Sequence, residues 1–240
     1  MTGTAMVEHL KEIKVLSEVA DEEIAWLAAS ARPAQYRRHE ILFAAGDPIN
    51  EVYLLIKGRI RLYSISEDGR EMTLTILDKG DFLGEAALSD SSCWQVNAEA
   101  MVSVELYSLP CRRFEELLEK EPTVGLAIAR ETVAQMQKLQ RRVEDLAFKP
   151  VASRMAQFLL DQVQEEGSSF SLGLTHQEMA SLIGTTRETA SLTLGRLMQM
   201  GVLAYDRHTL CIRDIARLRA YARGQLVVRT HGQPVMAGSA

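Results

Sequence analysis

The stretch Leu174–Leu203, LTHQEMASLIGTTRETASLTLGRLMQMGVL, decides how the chain is read. Thr175 with Glu178 three residues later is a capping-box pattern, and it opens the apolar run MASLI. Gly184 suits the left-handed position that ends a helix, and Thr185-Thr186 offers a cap for a second helix, RETASLTLGRLMQM. Two helices joined by a short glycine-containing turn predict a helix-turn-helix. Gly201 ends the second helix, and VLAY, the turn DRHT and LCIR predict a hairpin that serves as a wing. An arginine-rich helix at 214–223 follows. On the second helix Ala190, Leu194, Leu197 and Met198 recur at helical spacing and are expected in the core, which leaves Arg187, Glu188, Ser191, Leu192 and Gly195 on the opposite face. Polar side chains near the start of such a helix are placed to meet base edges in a major groove. Arginine can chelate guanine, glutamate can accept from cytosine N4, and serine can donate or accept. The alternative is that Glu188 caps its own helix and Arg187 is a solvated charge. The candidate contacts to double-stranded DNA are Thr175, Thr185, Thr186, Arg187, Glu188, Ser191, Leu192 and Arg196.

Upstream, Pro122 opens the longest helical segment, roughly 123–147, and Lys149-Pro150 breaks it. Leu126, Ala129, Val133, Met136, Gln140, Val143 and Ala147 alternate in steps of three and four, the seam that two parallel helices need. We expect a homodimer helix, the alternative being a helix that lies on its own sheet. Before it, ILF, EVYLLIKG, RIRLYSIS, EMTLTIL and SVELYSL are short, rich in β-branched and aromatic residues, and punctuated by glycines at 46, 58, 69 and 80. That rhythm predicts an antiparallel sandwich or barrel. In EMTLTIL, Met72, Leu74 and Ile76 share one face and Thr73 and Thr75 share the other, and one face is expected to meet the core. Pro110 closes the strand region and RRFEELLEK makes a short helix. The first thirty residues are predicted helical until Arg32-Pro33.

Composition narrows the function classes. The 240 residues are 47% hydrophobic and 25% charged, as in an ordinary globular protein of one or two domains. The net charge of −5 divides unevenly: residues 1–149 hold 18 Lys and Arg against 25 Asp and Glu, and residues 150–240 hold 9 against 7. The second half therefore permits a basic face. No apolar stretch approaches about 18 residues, and Glu8 and Lys11 stand where a signal peptide would be apolar, so we expect a cytoplasmic protein with no membrane partner. Cys93, Cys111 and Cys211 have no disulfide, zinc or iron-sulfur spacing, and isolated thiols are expected. His9, His39, His176, His208 and His231 are scattered and are expected as surface or capping residues. No nucleophile-base set, P-loop or metal motif is visible, so no catalytic or metal residue is assigned and an enzyme is not expected.

The run Glu40–Leu88 resembles the β-roll of the CRP/FNR superfamily of bacterial transcription regulators, and Leu174–Leu203 resembles its winged helix. The resemblance covers about 10 to 215. It implies an α+β protein: an N-terminal double-stranded β-helix, a jelly-roll-like β-roll acting as sensor over 1–122; a dimerisation helix over 123–149; and a winged helix-turn-helix over 150–223, beyond which the run GQLVVRTHGQPVMAGSA is expected to be a flexible tail over 224–240. It further implies a homodimer on a near-palindromic promoter site that recruits RNA polymerase, an activator by this reading, with a signal received in the roll. Arg187, Glu188 and Ser191 match the family's base-reading positions, whereas Leu192 stands where many members carry a second arginine in R-E-T-V-S-R.

The sensor also departs from the family pattern. Gly84-Glu85 matches the turn that holds the ribose in cyclic-nucleotide members, but the Arg-Ser that takes the cyclic phosphate falls on Trp94-Gln95 or Gln95-Val96. The nucleobase-contacting Thr-Ser pair falls on Leu139-Gln140. The candidate effector residues are Gly84, Glu85, Trp94, Gln95, Leu139 and Gln140, and without a cation for the phosphate a signal other than cyclic AMP, or none, is expected. The N-terminus lacks the cysteines of iron-sulfur members, and the haem histidine of the carbon-monoxide-sensing branch aligns near Glu85. Cyclic nucleotide, haem through other ligands, or a redox role for Cys93 stay as alternatives, as does a regulatory subunit of an enzyme.

Overall fold

The computed structural model describes residues 3–89, 91–166, 169–170, 174–206, 209–227 and 235–236. By contacts the chain divides into two compact units: residues 1–66 with 73–139, and residues 67–72 with 140–240. The expected boundary at Lys149-Pro150 coincides with the junction of two helices, whereas this division falls at 139/140, inside the longer of them.

The first unit is a β-roll with helices on one side. Its N-terminus forms two helices, α1 (Gly3–Lys11) and α2 (Asp21–Ala28), separated by a 3₁₀ turn at Lys14–Leu16. The single helical stretch expected there is thus interrupted, because the turn buries Val15 and Leu16 against the same core as Leu10, Ile24 and Leu27. Two four-stranded sheets follow, built from β1 (Arg32–Tyr36), β2 (Ile41–Phe43), β3 (Glu51–Lys57), β4 (Ile60–Ile65), β5 (Glu71–Leu77), β6 (Phe82–Leu83), β7 (Asn97–Ala100) and β8 (Val104–Pro110). Their orders are β1-β8-β3-β6 and β2-β7-β4-β5. Arg32-Pro33 begins a strand rather than merely ending a helix; Pro33 is accommodated because β1 is an edge strand.

Apolar residues of both sheets, among them Phe43, Leu55, Ile60, Leu62, Leu83 and Leu106, form the roll interior. Val52, Leu54 and Ile56 of β3 point the other way, into a second core with α1, α2 and α3 (Cys111–Lys120). EVYLLIK is therefore near-continuously apolar because β3 is buried on both faces. On β5 one face goes inward as expected, and it is the face of Thr73 and Leu77, which are buried, whereas Met72, Leu74 and Ile76 are half-buried on the other side. Strand pleat gives Thr73 and Leu77 the same face, and the buried anchor Leu77 decides which face goes in.

The long helix α4 (Pro122–Phe148) starts where Pro122 predicts. Val124 and Ile128 enter the first unit's helical core. All seven seam residues, Leu126, Ala129, Val133, Met136, Gln140, Val143 and Ala147, are exposed, so the stripe they form does not lie on the protein's own sheet.

The second unit continues with α5 (Val151–Glu166), β9 (Ser169–Phe170), α6 (His176–Ile183), α7 (Arg187–Gln199), β10 (Leu203–Asp206), β11 (Thr209–Ile212) and α8 (Ile215–Ala222). Met155, Leu159, Met179, Ala180, Leu194, Leu197, Leu203, Leu210, Leu218 and Tyr221 build its core. β10, β11 and β9 form the wing sheet, and the turn residues Arg207 and His208 lie outside the described residues. Within the expected tail, Leu226–Val227 (β12) pairs with Val235–Met236 (β13); 228–234 and 237–240 lie outside the described residues.

Candidate nucleic-acid interface

The helix-turn-helix is held by satisfied helix ends. Thr175 Oγ1 accepts from the Glu178 amide at 3.1 Å, and the Glu178 carboxylate accepts from the Thr175 amide at 2.6 Å, completing the predicted capping box. At the far end of α6, Gly184 is left-handed at φ 68°, and a Cβ there would also collide with the Leu146 side chain. Thr186 caps α7, its Oγ1 accepting from the Thr189 amide at 3.3 Å.

Two arginines that sequence reasoning did not single out hold the last carbonyls of α6. Arg142, from α4, donates to Leu182 O at 2.6 Å and Ser181 O at 3.4 Å. Arg154, from α5, donates to Ile183 O at 2.9 Å, Gly184 O at 3.1 Å and Lys149 O at 2.7 Å. Cations at a helix C-terminus complement both its unpaired carbonyls and its dipole. Burial lowers the pKa of both guanidiniums, and for Arg142 the neighbouring Arg154 adds to the effect. Sequence offers little signal for such pairs, because the acceptors are main-chain atoms from another helix.

This frame presents one face of α7. Ala190, Leu194 and Leu197 are buried as predicted and Met198 is partly so. Arg187, Glu188 and Leu192 are exposed, the last by 54%, and no hydrogen bond or ion pair among the described residues engages the side chain of Arg187 or Glu188. Glu188 is therefore not used as a cap. Ser191, Gly195 and Arg196 are half-buried beside them. Of the three candidate threonines, Thr175 and Thr186 have their hydroxyls committed to caps, and Thr185 is half-buried in the turn. One further residue joins this face: His176, the first residue of α6, lies with Nδ1 2.8 Å from Ser191 Oγ. Sequence reasoning placed it only among surface or capping histidines.

The candidate effector residues do not converge in the same way. A Cβ on Gly84 would collide with Val52, so packing accounts for that glycine. The Glu85 carboxylate accepts from the Gly84 amide at 3.0 Å. Trp94, a candidate effector residue, is instead 4% exposed in the roll core and stacked on Phe43 with centroids 4.0 Å apart. The Gln95 amide turns back onto Cys93 O at 3.1 Å, and Leu139 and Gln140 are exposed on α4. A cavity of about 330 Å³ lies between Lys14–Val19 and Thr123–Glu131; it contains Leu126 of the seam and none of the six candidate residues. Among the described residues no cluster of His, Cys, Asp and Glu could hold a metal ion, and no helix is long and apolar enough to cross a membrane.

Comparison with known proteins matches residues 33–121 to the cyclic nucleotide-binding domain and residues 153–221 to the Crp-like helix-turn-helix domain, together about two thirds of the chain in that order. The chain belongs to the CRP/FNR superfamily. This CRP/FNR protein is 27% identical over 224 residues to the CRP-like cAMP-activated global transcriptional regulator of Mycobacterium tuberculosis, covering 91% of this chain and 100% of that one. It is 28% identical over 185 residues to the global nitrogen regulator of a Nostoc strain, covering 74% and 83%. Its fold matches the crystal structure of a putative transcriptional regulator of the CRP/FNR family from Eubacterium rectale with a TM-score of 0.75 at 21% identity, covering 89% of this chain and 99% of that one. The protein is a DNA-binding transcription regulator of the CRP/FNR type, and its relatives are regulators, not enzymes.

Proposed function

We propose that this regulator acts as a homodimer joined along α4, reads a near-palindromic promoter site with paired α7 helices, and activates transcription by contacting RNA polymerase in the cytoplasm. The observation that carries the dimer is the exposed seam, where Leu126, Val133, Met136 and Val143 are 54%, 49%, 60% and 59% exposed on a single chain. A contiguous apolar stripe at heptad spacing is a surface that a second copy covers. A two-fold dimer sets the two recognition helices about one helical turn apart, which is why the site repeats in inverted order. In this reading residues 1–122 are the sensor, 123–149 the dimer helix and 150–223 the DNA reader.

Arg187, Glu188 and Ser191 meet base edges, and Leu192 touches a thymine methyl at a position where an arginine would demand guanine. The signal is not cyclic AMP. The aligned phosphate anchor is occupied by Trp94, stacked in the core, and by Gln95, bonded to its own loop, so an anionic phosphate there would lack a cationic partner. The relatives themselves carry names that differ in signal, one cAMP-activated and one a nitrogen regulator. The fold accordingly accommodates a different effector or none.

The test combines native mass spectrometry with binding-site selection from random duplexes. We expect a dimer that selects an inverted repeat, and a monomer from the double substitution Val133→Glu with Met136→Glu. A wild-type monomer at micromolar concentration, or a selected site without two-fold symmetry, would overturn the reading.

A further inference from the structure

Of Arg187, Glu188 and Ser191, the three residues at the family's base-reading positions, Ser191 is the one whose side chain has a hydrogen-bond partner among the described residues. Its Oγ lies 2.8 Å from Nδ1 of His176, across the gap between the two helices of the motif. A serine hydroxyl carries one proton and two lone pairs, so whichever role it takes toward the imidazole limits what it offers on its other side. If Nδ1 donates, the hydroxyl proton is left for a base acceptor; if Nδ1 accepts, only lone pairs face the DNA. The imidazole is exposed at the start of α6, the helix of this motif that crosses the DNA backbone. On DNA docked in that way the remote nitrogen, Nε2, would face phosphate oxygens, which take an N–H and repel a lone pair. A neutral ring with its proton on Nε2 has a bare Nδ1.

We propose that His176 is a specificity-setting positioning residue. It accepts the Ser191 hydroxyl proton, turns Ser191 into a hydrogen-bond acceptor toward the DNA, and so selects a base that presents an amino group, adenine or cytosine, at that position of the half-site. This rests on the reading that the exposed face of α7 meets base edges. His176 acts through Ser191, and no other side chain on this face holds the hydroxyl among the described residues.

The inference is tested by fixing the polarity of the partner. His176→Asp is an acceptor only, with an oxygen near the place of Nδ1, and His176→Lys is a donor only. Full-length wild type, both variants and Ser191→Ala are taken through selection from a duplex library randomised across the half-site. The readout is relative base preference within each protein, so a uniform change in phosphate affinity cancels. Wild type and His176→Asp are expected to favour adenine or cytosine at one position by roughly three- to tenfold, the worth of one hydrogen bond. His176→Lys is expected to shift that position to guanine or thymine, and Ser191→Ala to lose the preference there while keeping the remainder of the site. If Ser191→Ala loses the preference but Asp and Lys at 176 both retain the wild-type base, His176 does not set it, although Ser191 still reads DNA. If Ser191→Ala leaves every position of the selected site unchanged, the base-reading assignment fails and this inference with it.

Discussion

The winged helix and the β-roll each match a family domain, yet their polar side chains are disposed differently. On α7, Arg187 and Glu188 project from a helix whose cap is internally satisfied, and neither is used within the described fold. In the roll, the residues aligned with a ligand site are consumed by the fold: Gly84 by close approach to Val52, Glu85 by the Gly84 amide, Trp94 by Phe43 and Gln95 by its own loop. Matching a backbone and matching its ligand chemistry are thus separate tests, and in the reading proposed above this chain meets both only in its DNA-reading half.

That contrast can be broken at several points. The largest effect is expected in the roll, where Trp94→Ala removes a buried stacked ring and should lower stability by about 3–5 kcal/mol in chemical denaturation. It should leave the selected DNA sequence unchanged; a changed sequence would mean that the roll core contributes to readout. In the winged helix, Arg154→Met leaves the carbonyls of Ile183, Gly184 and Lys149 without their guanidinium and should cost about 2–3 kcal/mol. Unchanged stability would show that water replaces the clamp at no loss. At the groove, Leu192→Arg should add about 1–3 kcal/mol of preference for guanine at one half-site position, measured by competition between duplexes.

The smallest effect is alkaline. Burial in the roll pushes Tyr53 up to about 12, above its value near 10 in an unfolded chain. Its contribution is therefore complete below pH 10 and lost as pH rises from about 10 to 12. Because the side chain is only partly buried, the step should be about 1 kcal/mol, and Tyr53→Phe should abolish it.

Much of this was legible in the sequence, and unevenly so for physical reasons. Caps and turns are local, so Thr175, Glu178, Gly184 and Thr186 announced the helix-turn-helix, and the three-and-four spacing on α4 announced the exposed stripe. β7 was missed because Asn97–Ala100 has no β-branched or aromatic residue; its alanines are small because they pack into the roll interior. On β5 the alternation was visible but its direction was not, since the inward face is decided by Leu77 and by partners distant in sequence. The contacts of His176, Arg142 and Arg154 are not legible in the sequence because their partners lie on other helices and two of the three bind only main-chain carbonyls. Trp94 is a candidate effector residue by alignment yet a core residue in the structure, because alignment gives a position along the chain and not the direction of a side chain.

The most direct test of the proposal that the roll takes no cyclic AMP is the affinity of the purified protein for its selected site, measured by fluorescence anisotropy with and without saturating cyclic AMP. The same Kd within about twofold is expected, because a ligand shifts an equilibrium only through differential affinity for its states. A tightening of tenfold or more would show that the roll holds the cyclic phosphate without the expected cation, and would contradict the contrast drawn between the two halves of the molecule.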